Sequence, residues 1–315
     1  MVVPAKRLYA HAGTPIRSQQ QIRAGSSHGR LLSQTPTHYG GTCMATHLNE
    51  AEIEAFHRRG YHTPSRALSV EEAVAMRRKL ESISAEFGTE DEAIPLTDLH
   101  LVYRWAWDTV HDPRIVDPVS DLLGPNVLLW SLNWFIKEPL DKTFVTYHQD
   151  ATYWGLEPHD VVTAWVALSD AGPTTGPMKF IPGSHRGPVR DHIDTFQEQN
   201  LLSRGQAIDH DIPETGAILA PLEVGEMSLH HVRLIHGSDP NSTHDRRIGM
   251  VLRYCATHVT QTKLRDTAVL VRGVDSYDHF DLLPQPETDA GDDEIRRQKD
   301  ALQRTHRALH SKDYE

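Results

Sequence analysis

Cysteine is almost missing: Cys43 and Cys255 are the two in 315 residues, too few for a disulfide framework or a cysteine-rich zinc site. A reducing compartment is the expected one, with the cytoplasm as default. No apolar run is long enough to cross a bilayer, which excludes a membrane-spanning helix. Positive charge is in deficit, 32 Lys and Arg against 43 Asp and Glu, for a formal net charge of −11. That balance argues against a general nucleic-acid binder, which needs a basic surface to neutralise phosphates. No G-x-G-x-x-G or P-loop pattern follows a strand-like stretch, which argues against a nucleotide-binding α/β fold.

Acid is missing from residues 1–43, where Lys6, Arg7, Arg17, Arg23 and Arg30 stand among Ser, Gln and Gly. Such a segment cannot bury enough apolar surface to offset its ordering entropy, so a disordered leader is expected. It has the composition of an organelle transit peptide. It equally fits a plain upstream extension, with Met44 beginning the folded unit. The terminal Asp313-Tyr314-Glu315 is not a peroxisomal address.

Residues 44–315 suffice for one large domain. Asn49 with Glu52 reads as a capping box, followed by apolar Ile53 and Phe56 and a stop at Gly60. Ser69 with Glu72 is a second box, and Met76, Leu80, Ile83 and Phe87 follow at helical spacing. Residues 101–110 and 115–123 read as two further helices, whose Trp105 and Trp107 are expected in the core. The region 49–123 is thus helical support. From 126 to 260 the texture changes to short apolar runs broken by Gly, Pro, Asn and Asp: 127–136, 143–148, 161–168, 178–181, 217–219, 227–232 and 248–256. Many short strands with turns between them predict a mainly β fold of sandwich or jelly-roll type. The tail from 284 to 315 is polar, with an exposed helix expected over 294–309.

One stretch organises the chemistry: Thr146-Tyr147-His148-Gln149-Asp150. In an extended strand His148 and Asp150 point one way and Gln149 the other. An imidazole and a carboxylate on one face supply two ligands of a 2-His-1-carboxylate triad, which holds non-haem Fe(II) with positions left open. The bland alternative is a polar surface strand. The pattern also occurs as His192-Ile193-Asp194 and His279-Phe280-Asp281, so its context has to choose. Downstream of 148–150, alternation over 161–168 puts Val162, Ala164, Val166 and Leu168 on one face and Thr163 and Trp165 on the other. Then come Ile181-Pro182-Gly183-Ser184-His185-Arg186, and His236-Gly237-Ser238 followed by Arg246 and Arg247.

These separated motifs, in this order, resemble the phytanoyl-CoA dioxygenase family of Fe(II)- and 2-oxoglutarate-dependent oxygenases, over roughly residues 49–279. The resemblance implies a double-stranded β-helix (jelly-roll) core. His148 and Asp150 would be the proximal metal ligands and His236 the distal one. Arg247, eleven residues after His236, would grip the distal carboxylate of 2-oxoglutarate; Trp165 would lie against that co-substrate, and Lys137 falls near the family's lysine. His230 and His231 compete with His236 for the distal place, but His236 has the His-Gly-Ser context and the spacing to Arg247. Arg246 and Arg247 are neighbours on one strand, so one alone can point inward.

Two neutral imidazoles and one carboxylate leave Fe(II) with one net positive charge, suited to an anionic chelator, and a guanidinium suits the far carboxylate because its planar fork donates two charge-assisted hydrogen bonds. The implied reaction consumes 2-oxoglutarate and O₂, releases succinate and CO₂, and hydroxylates a C–H bond of a small molecule. Related halogenases carry a small residue in place of the carboxylate, so Asp150 favours hydroxylation. A zinc hydrolase and a non-catalytic cupin-like binding protein are the alternatives on the same fold. Tyr153, Trp154, His159, Asn133, His231 and Arg272 are candidate pocket residues. The sequence leaves substrate identity and oligomeric state open.

Overall fold

Reciprocal capping starts the chain's first helices. The Asn49 side chain accepts from the Glu52 amide at 3.1 Å, and the Glu52 carboxylate accepts from the Asn49 amide at 2.9 Å. Ser69 and Glu72 repeat the exchange at 3.1 and 2.7 Å. Gly60 ends the first helix with φ +87°, a left-handed conformation open to glycine without strain. The computed structural model describes residues 47–87, 94–210, 212 and 215–310. The expected leader 1–43 and the expected start at Met44 lie outside the described residues.

The helices are α1 (Glu50–Arg59), α2 (Val70–Phe87), α3 (Arg104–Val110), α4 (Pro113–Leu123), α5 (Ala151–Trp154) and α6 (Asp292–Leu309). The first eight strands are β1 (Tyr61–Arg66), β2 (Val127–Lys137), β3 (Val145–His148), β4 (Leu156–Glu157), β5 (Val161–Ala167), β6 (Met178–Phe180), β7 (His192–Asp194) and β8 (Gln206–Ile208). The others are β9 (Ile218–Ala220), β10 (Glu226–His231), β11 (His236–Ser238), β12 (Arg247–Ala256), β13 (Thr260–Gln261), β14 (Thr267–Arg272) and β15 (Asp281–Leu282). A seven-stranded sheet runs β1-β10-β5-β12-β2-β14-β15, antiparallel except for β14 with β15. A four-stranded sheet, β3-β11-β6-β9, packs against its inner face. This is the expected jelly roll.

Alternation along β5 shows how the sheet is used. Val162, Ala164, Val166 and Leu168 face outward into a core with Ala106, Val110, Ile115 and Val119 of the helices. Trp165 and Ala167 face inward with Met178, Phe180 and Ala220 of the smaller sheet. Each fully buried aliphatic side chain stabilises the fold by about 1.5–3 kcal/mol, so the helices are bound to the sheet by this outer layer. Trp105 and Trp107 pack partly buried against it.

Three expectations need correction. The helix expected over 101–110 is broken: a 3-10 turn at Leu99–Leu101 is followed by extended Tyr103 (φ −124°, ψ 130°) before α3 begins. The tail helix is not exposed all round. Glu294, Gln298, Ala301 and Ala308 of α6 are buried, and the Gln298 amide donates to Pro95 O (2.8 Å) and Thr97 O (2.6 Å). Strands β1 and β14 were not anticipated; Pro64 within β1 weakens its strand signal. Among the described residues, no helix is long and apolar enough to cross a membrane.

Candidate metal centre and its cavity

Strand pairing places the two imidazoles. His148 ends β3, His236 begins β11, and they are direct partners in the antiparallel register, so their side chains leave the same face. Their ring centroids are 4.2 Å apart. The Nδ1 of His148 lies 2.9 Å from Thr146 O, and that of His236 lies 3.0 Å from Leu234 O. A carbonyl can only accept, so each Nδ1 carries the proton and each Nε2 presents its lone pair. Metal-binding histidines are oriented in this way.

Strand alternation does not place Asp150. β3 stops at His148, and Asp150 has helical dihedrals (φ −57°, ψ −37°) at the start of α5. A turn, not a continued strand, brings its Oδ1 to 3.3 Å from His148 Nε2. Gln149 does point away, and it holds the turn. Its amide donates to Arg233 O (2.7 Å) and accepts from the Arg190 N–H (2.9 Å), while its backbone N–H donates to His192 Nε2 (2.9 Å). Ligand atoms of His148, Asp150 and His236 all lie within 4.8 Å of one another, and among the described residues this is the one such cluster.

Its electrostatics suit a cation. Burial, with His148 alongside, pulls the His236 imidazole down to about 4, so it is neutral at pH 7. Burial opposes the charge of Asp150, but the attraction of the adjoining His148 and His236 for a negative charge outweighs it and holds the carboxyl below its usual range. The donor set is two imidazole nitrogens and one carboxylate, which fits Fe(II) with open positions.

The cluster opens on a cavity of about 520 Å³ between the sheets, shared with Trp165, Arg247 and Arg253. Arg247 and Arg246 separate as expected. Arg246 is ion-paired to Glu138 at 2.7 Å and Glu81 at 3.3 Å. Arg247 is 1% exposed, and among the described residues no carboxylate pairs with it. Its Nη1 donates to Gly176 O at 2.8 Å, its Nε has no partner, and its guanidinium lies 5.2 Å from the Trp165 ring. Burial alone lowers it to about 9. Lys137, its cross-strand partner, is fully buried and donates to Ser238 Oγ (2.7 Å) and to Asp239 O.

Of the other candidates, Asn133, Tyr153 and Trp154 line the cavity; His159, His231 and Arg272 do not. Arg272 pairs with Asp117, and the His231 ring lies 5.2 Å from that of His185. The rival His-x-Asp pairs are used elsewhere: Asp194 with Arg204 at 3.3 Å, Asp281 with Arg265 at 2.6 Å. Sequence reasoning missed Thr163 and Arg253 as cavity residues, together with Leu302, Thr305 and His306 of α6. The inward alternation along β5 and β12 was a signal for the first two. Nothing in the sequence announced the helix.

A jelly roll with a His-x-Asp…His cluster facing an internal cavity defines a class of metal-dependent protein. The chain belongs to the phytanoyl-CoA dioxygenase (PhyH) family, whose model matches residues 41–249. It is 33% identical over 162 residues to a probable alpha-ketoglutarate-dependent hypophosphite dioxygenase of Stutzerimonas stutzeri, covering 50% of this chain and 55% of that protein. It is 26% identical over 161 residues to the peroxisomal phytanoyl-CoA dioxygenase of Rattus norvegicus, covering 50% of this chain and 47% of the relative. The chain thus spans about half the length of these two curated relatives. Among solved structures, the non-heme monooxygenase ThoJ in its apo form superposes with a TM-score of 0.72 at 30% identity, over 82% of this chain and 97% of that one.

Proposed function

We propose that this protein is an Fe(II)- and 2-oxoglutarate-dependent dioxygenase that hydroxylates a C–H bond of a small molecule. The observation that carries the reading is Arg247: a guanidinium 1% exposed, without an acid partner among the described residues, in the same cavity as two imidazole Nε2 lone pairs and a carboxylate. A buried cation is costly unless paired. An anionic co-substrate would supply the partner, and the name of the Stutzerimonas relative specifies such a co-substrate, alpha-ketoglutarate.

In this reading His148, Asp150 and His236 hold Fe(II). With 2-oxoglutarate and O₂ the metal supplies the oxidising chemistry, releasing succinate and CO₂. Arg247 donates charge-assisted hydrogen bonds to the distal carboxylate and sets the direction in which the co-substrate lies. Trp165, 4% exposed and under the Arg247 guanidinium, walls that end of the cavity against water. Lys137 adds a nearby donor at the same end. The Thr146 and Leu234 carbonyls keep both imidazoles in the ligating tautomer. The presence of Asp150 favours hydroxylation over halogenation.

Anaerobic addition of Fe(II) and then 2-oxoglutarate to the purified protein tests this. A visible charge-transfer band that needs both components, and is lost in His236→Ala, is expected. Bound metal with no band on adding 2-oxoglutarate would overturn the reading in favour of a zinc hydrolase or a binding protein.

A further inference from the structure

Helix α6 carries two adjacent stripes. Glu294, Gln298, Ala301 and Ala308 are buried against the body of the protein. Leu302, Thr305, His306 and Leu309 are half-buried and line the cavity. Their spacing, i, i+3, i+4 and i+7, puts the four on one face of the helix. The first stripe holds the helix in place. The Gln298 amide donates to Pro95 O and Thr97 O, and the Glu294 carboxylate accepts from the Glu287 amide at 3.0 Å. The cavity face is thus positioned by two side chains that do not line it. Within that face the Thr305 hydroxyl is engaged, donating to the Asp266 carboxylate at 3.3 Å, and the His306 ring stacks on that of His310 at 4.2 Å. Leu302 and Leu309 remain as its apolar contacts, seven residues and roughly 10 Å apart along the axis.

The charged groups that line the cavity on this side are already answered within the protein. Arg204 pairs with Asp194 at 3.3 Å and lies 5.3 Å from the Tyr153 ring. The Arg253 guanidinium lies 4.7 Å from the Trp154 ring, donates to Ser131 Oγ at 3.1 Å and stabilises the charges of Asp98 and Asp150. Asp98 accepts from the Leu132 amide at 2.7 Å. A neutral molecule disturbs none of these pairings, whereas a charged one has to compete with them. Apolar surface is plentiful beside α6. Leu309 packs against the cluster that contains Trp130 and Trp154, whose rings are 5.4 Å apart. Trp154 in turn ends α5, the short helix that Asp150 opens. The apolar wall therefore starts one helical turn from a ligand of the metal cluster.

We infer that α6 sets the substrate class: Leu302 and Leu309 wall the substrate subsite, and the substrate is a small neutral molecule whose hydrocarbon body lies along them. Expelling water from between the leucines and that body supplies the binding, in proportion to the apolar area covered. No ion pair with the substrate is formed. The oxidisable C–H projects past α5 toward the metal cluster. The cavity of about 520 Å³ also has to hold 2-oxoglutarate, which restricts the body to a small one.

The inference rests on the function proposed above, and the test separates the two. Protein loaded anaerobically with Fe(II) and 2-oxoglutarate is titrated by calorimetry with 1-butanol, 1-hexanol and hexanoate, and the charge-transfer band is recorded separately beforehand. 1-Hexanol is expected to bind about tenfold tighter than 1-butanol, the effect of burying two further methylenes. It should also bind about tenfold or more tighter than hexanoate, whose carboxylate finds no free partner. Leu302→Asp should weaken 1-hexanol by about tenfold or more while the band still forms. Leu302→Met, close in volume, should restore most of the affinity, which separates contact with the ligand from a general loosening of the helix. Leu309→Ala should weaken 1-hexanol a few-fold and serves if Leu302→Asp does not fold. Hexanoate as tight as 1-hexanol, no gain from 1-butanol to 1-hexanol, or variants that bind as wild type does overturn the inference. Absence of the band in wild type, with the alcohols bound as expected, instead counts against the dioxygenase and leaves the apolar wall standing.

Discussion

Arg247 and Lys137 face each other as direct cross-strand partners on β12 and β2, and both basic side chains are buried, 1% and 0% exposed. Two positive charges side by side in a low-dielectric interior oppose folding, and without an anion to join them burial and the charge of Arg247 push the Lys137 ammonium down to about 6. On the function proposed above, this pair gives up stability in return for a place that an anion would complete.

Replacing Arg247 with Met should separate binding from stability. The variant loses the charge-assisted hydrogen bonds to the distal carboxylate, each worth about 1.5–3 kcal/mol, so 2-oxoglutarate should bind roughly a hundredfold more weakly. The same change removes a buried unpaired charge and leaves an apolar side chain of similar length, so the apoprotein's Tm should hold or rise. Anaerobic titration and thermal unfolding without 2-oxoglutarate check the two halves. Unchanged affinity would remove Arg247 from the co-substrate site.

Lys137 should make apoprotein stability depend on pH. Burial, with the charge of Arg247 next, lowers its ammonium from 10.5 to about 6 in the folded chain. Below pH 6 both folded and unfolded states hold the proton, and the cost of burying the charge is present in full. Between about 6 and 10.5 the unfolded state keeps a proton that the folded state releases, so stability rises with pH. The slope from this residue is at most ~1.4 kcal/mol per pH unit. Urea unfolding at pH 7, 8 and 9 should show the rise in wild type and a flatter profile in Lys137→Met. A variant as steep as wild type would assign the slope elsewhere.

The metal cluster should fail in a graded way. Asp150→Ala removes the one anionic ligand and should abolish Fe(II)-dependent hydroxylation and the charge-transfer band. Gln149→Ala leaves all three ligands but frees the turn that Arg233 O and the Arg190 amide hold at 2.7 and 2.9 Å. Second-layer losses of this kind typically cost 10–100-fold in metal affinity. Iron content after gel filtration, with activity against Fe(II) concentration, distinguishes the two. Full iron content in Asp150→Ala would sink the ligand assignment.

Much of this was legible because local rules decided it. The Asn49–Glu52 and Ser69–Glu72 exchanges need four residues each and formed as read. The alternation of β5 sorted Val162, Ala164 and Val166 outward and Thr163 and Trp165 inward. Pairing of residues distant in sequence was less legible. The alternation argument assumed a strand through Asp150, whereas the chain turns there because Gln149 is anchored to residues 41 and 84 positions downstream. Likewise Gln298 binds backbone carbonyls about two hundred residues upstream, and no local pattern in α6 could reveal that partner. Arg272 and His231 were plausible by residue type, but β14 and β10 direct them away from the cavity.

Gly249 is the residue whose importance is least evident from its type. It lies on β12 between Arg247 and Val251, and a Cβ built there would sit 1.9 Å from Trp165 Cζ2 and 2.1 Å from its Cε2. The indole thus occupies the space above a missing side chain, and that is how Trp165 comes to lie beneath the Arg247 guanidinium. Gly249→Ala must displace the ring or the strand. Overpacking of this kind costs about 1–3 kcal/mol, and the displaced indole should also weaken 2-oxoglutarate binding severalfold. Trp165→Phe in the same chain shortens the ring and should recover much of the stability, giving a non-additive pair as expected for residues in direct contact. Chemical unfolding of the two single variants and the double variant measures that coupling. Additive losses would show that the glycine matters for the strand and not for the seat of the indole.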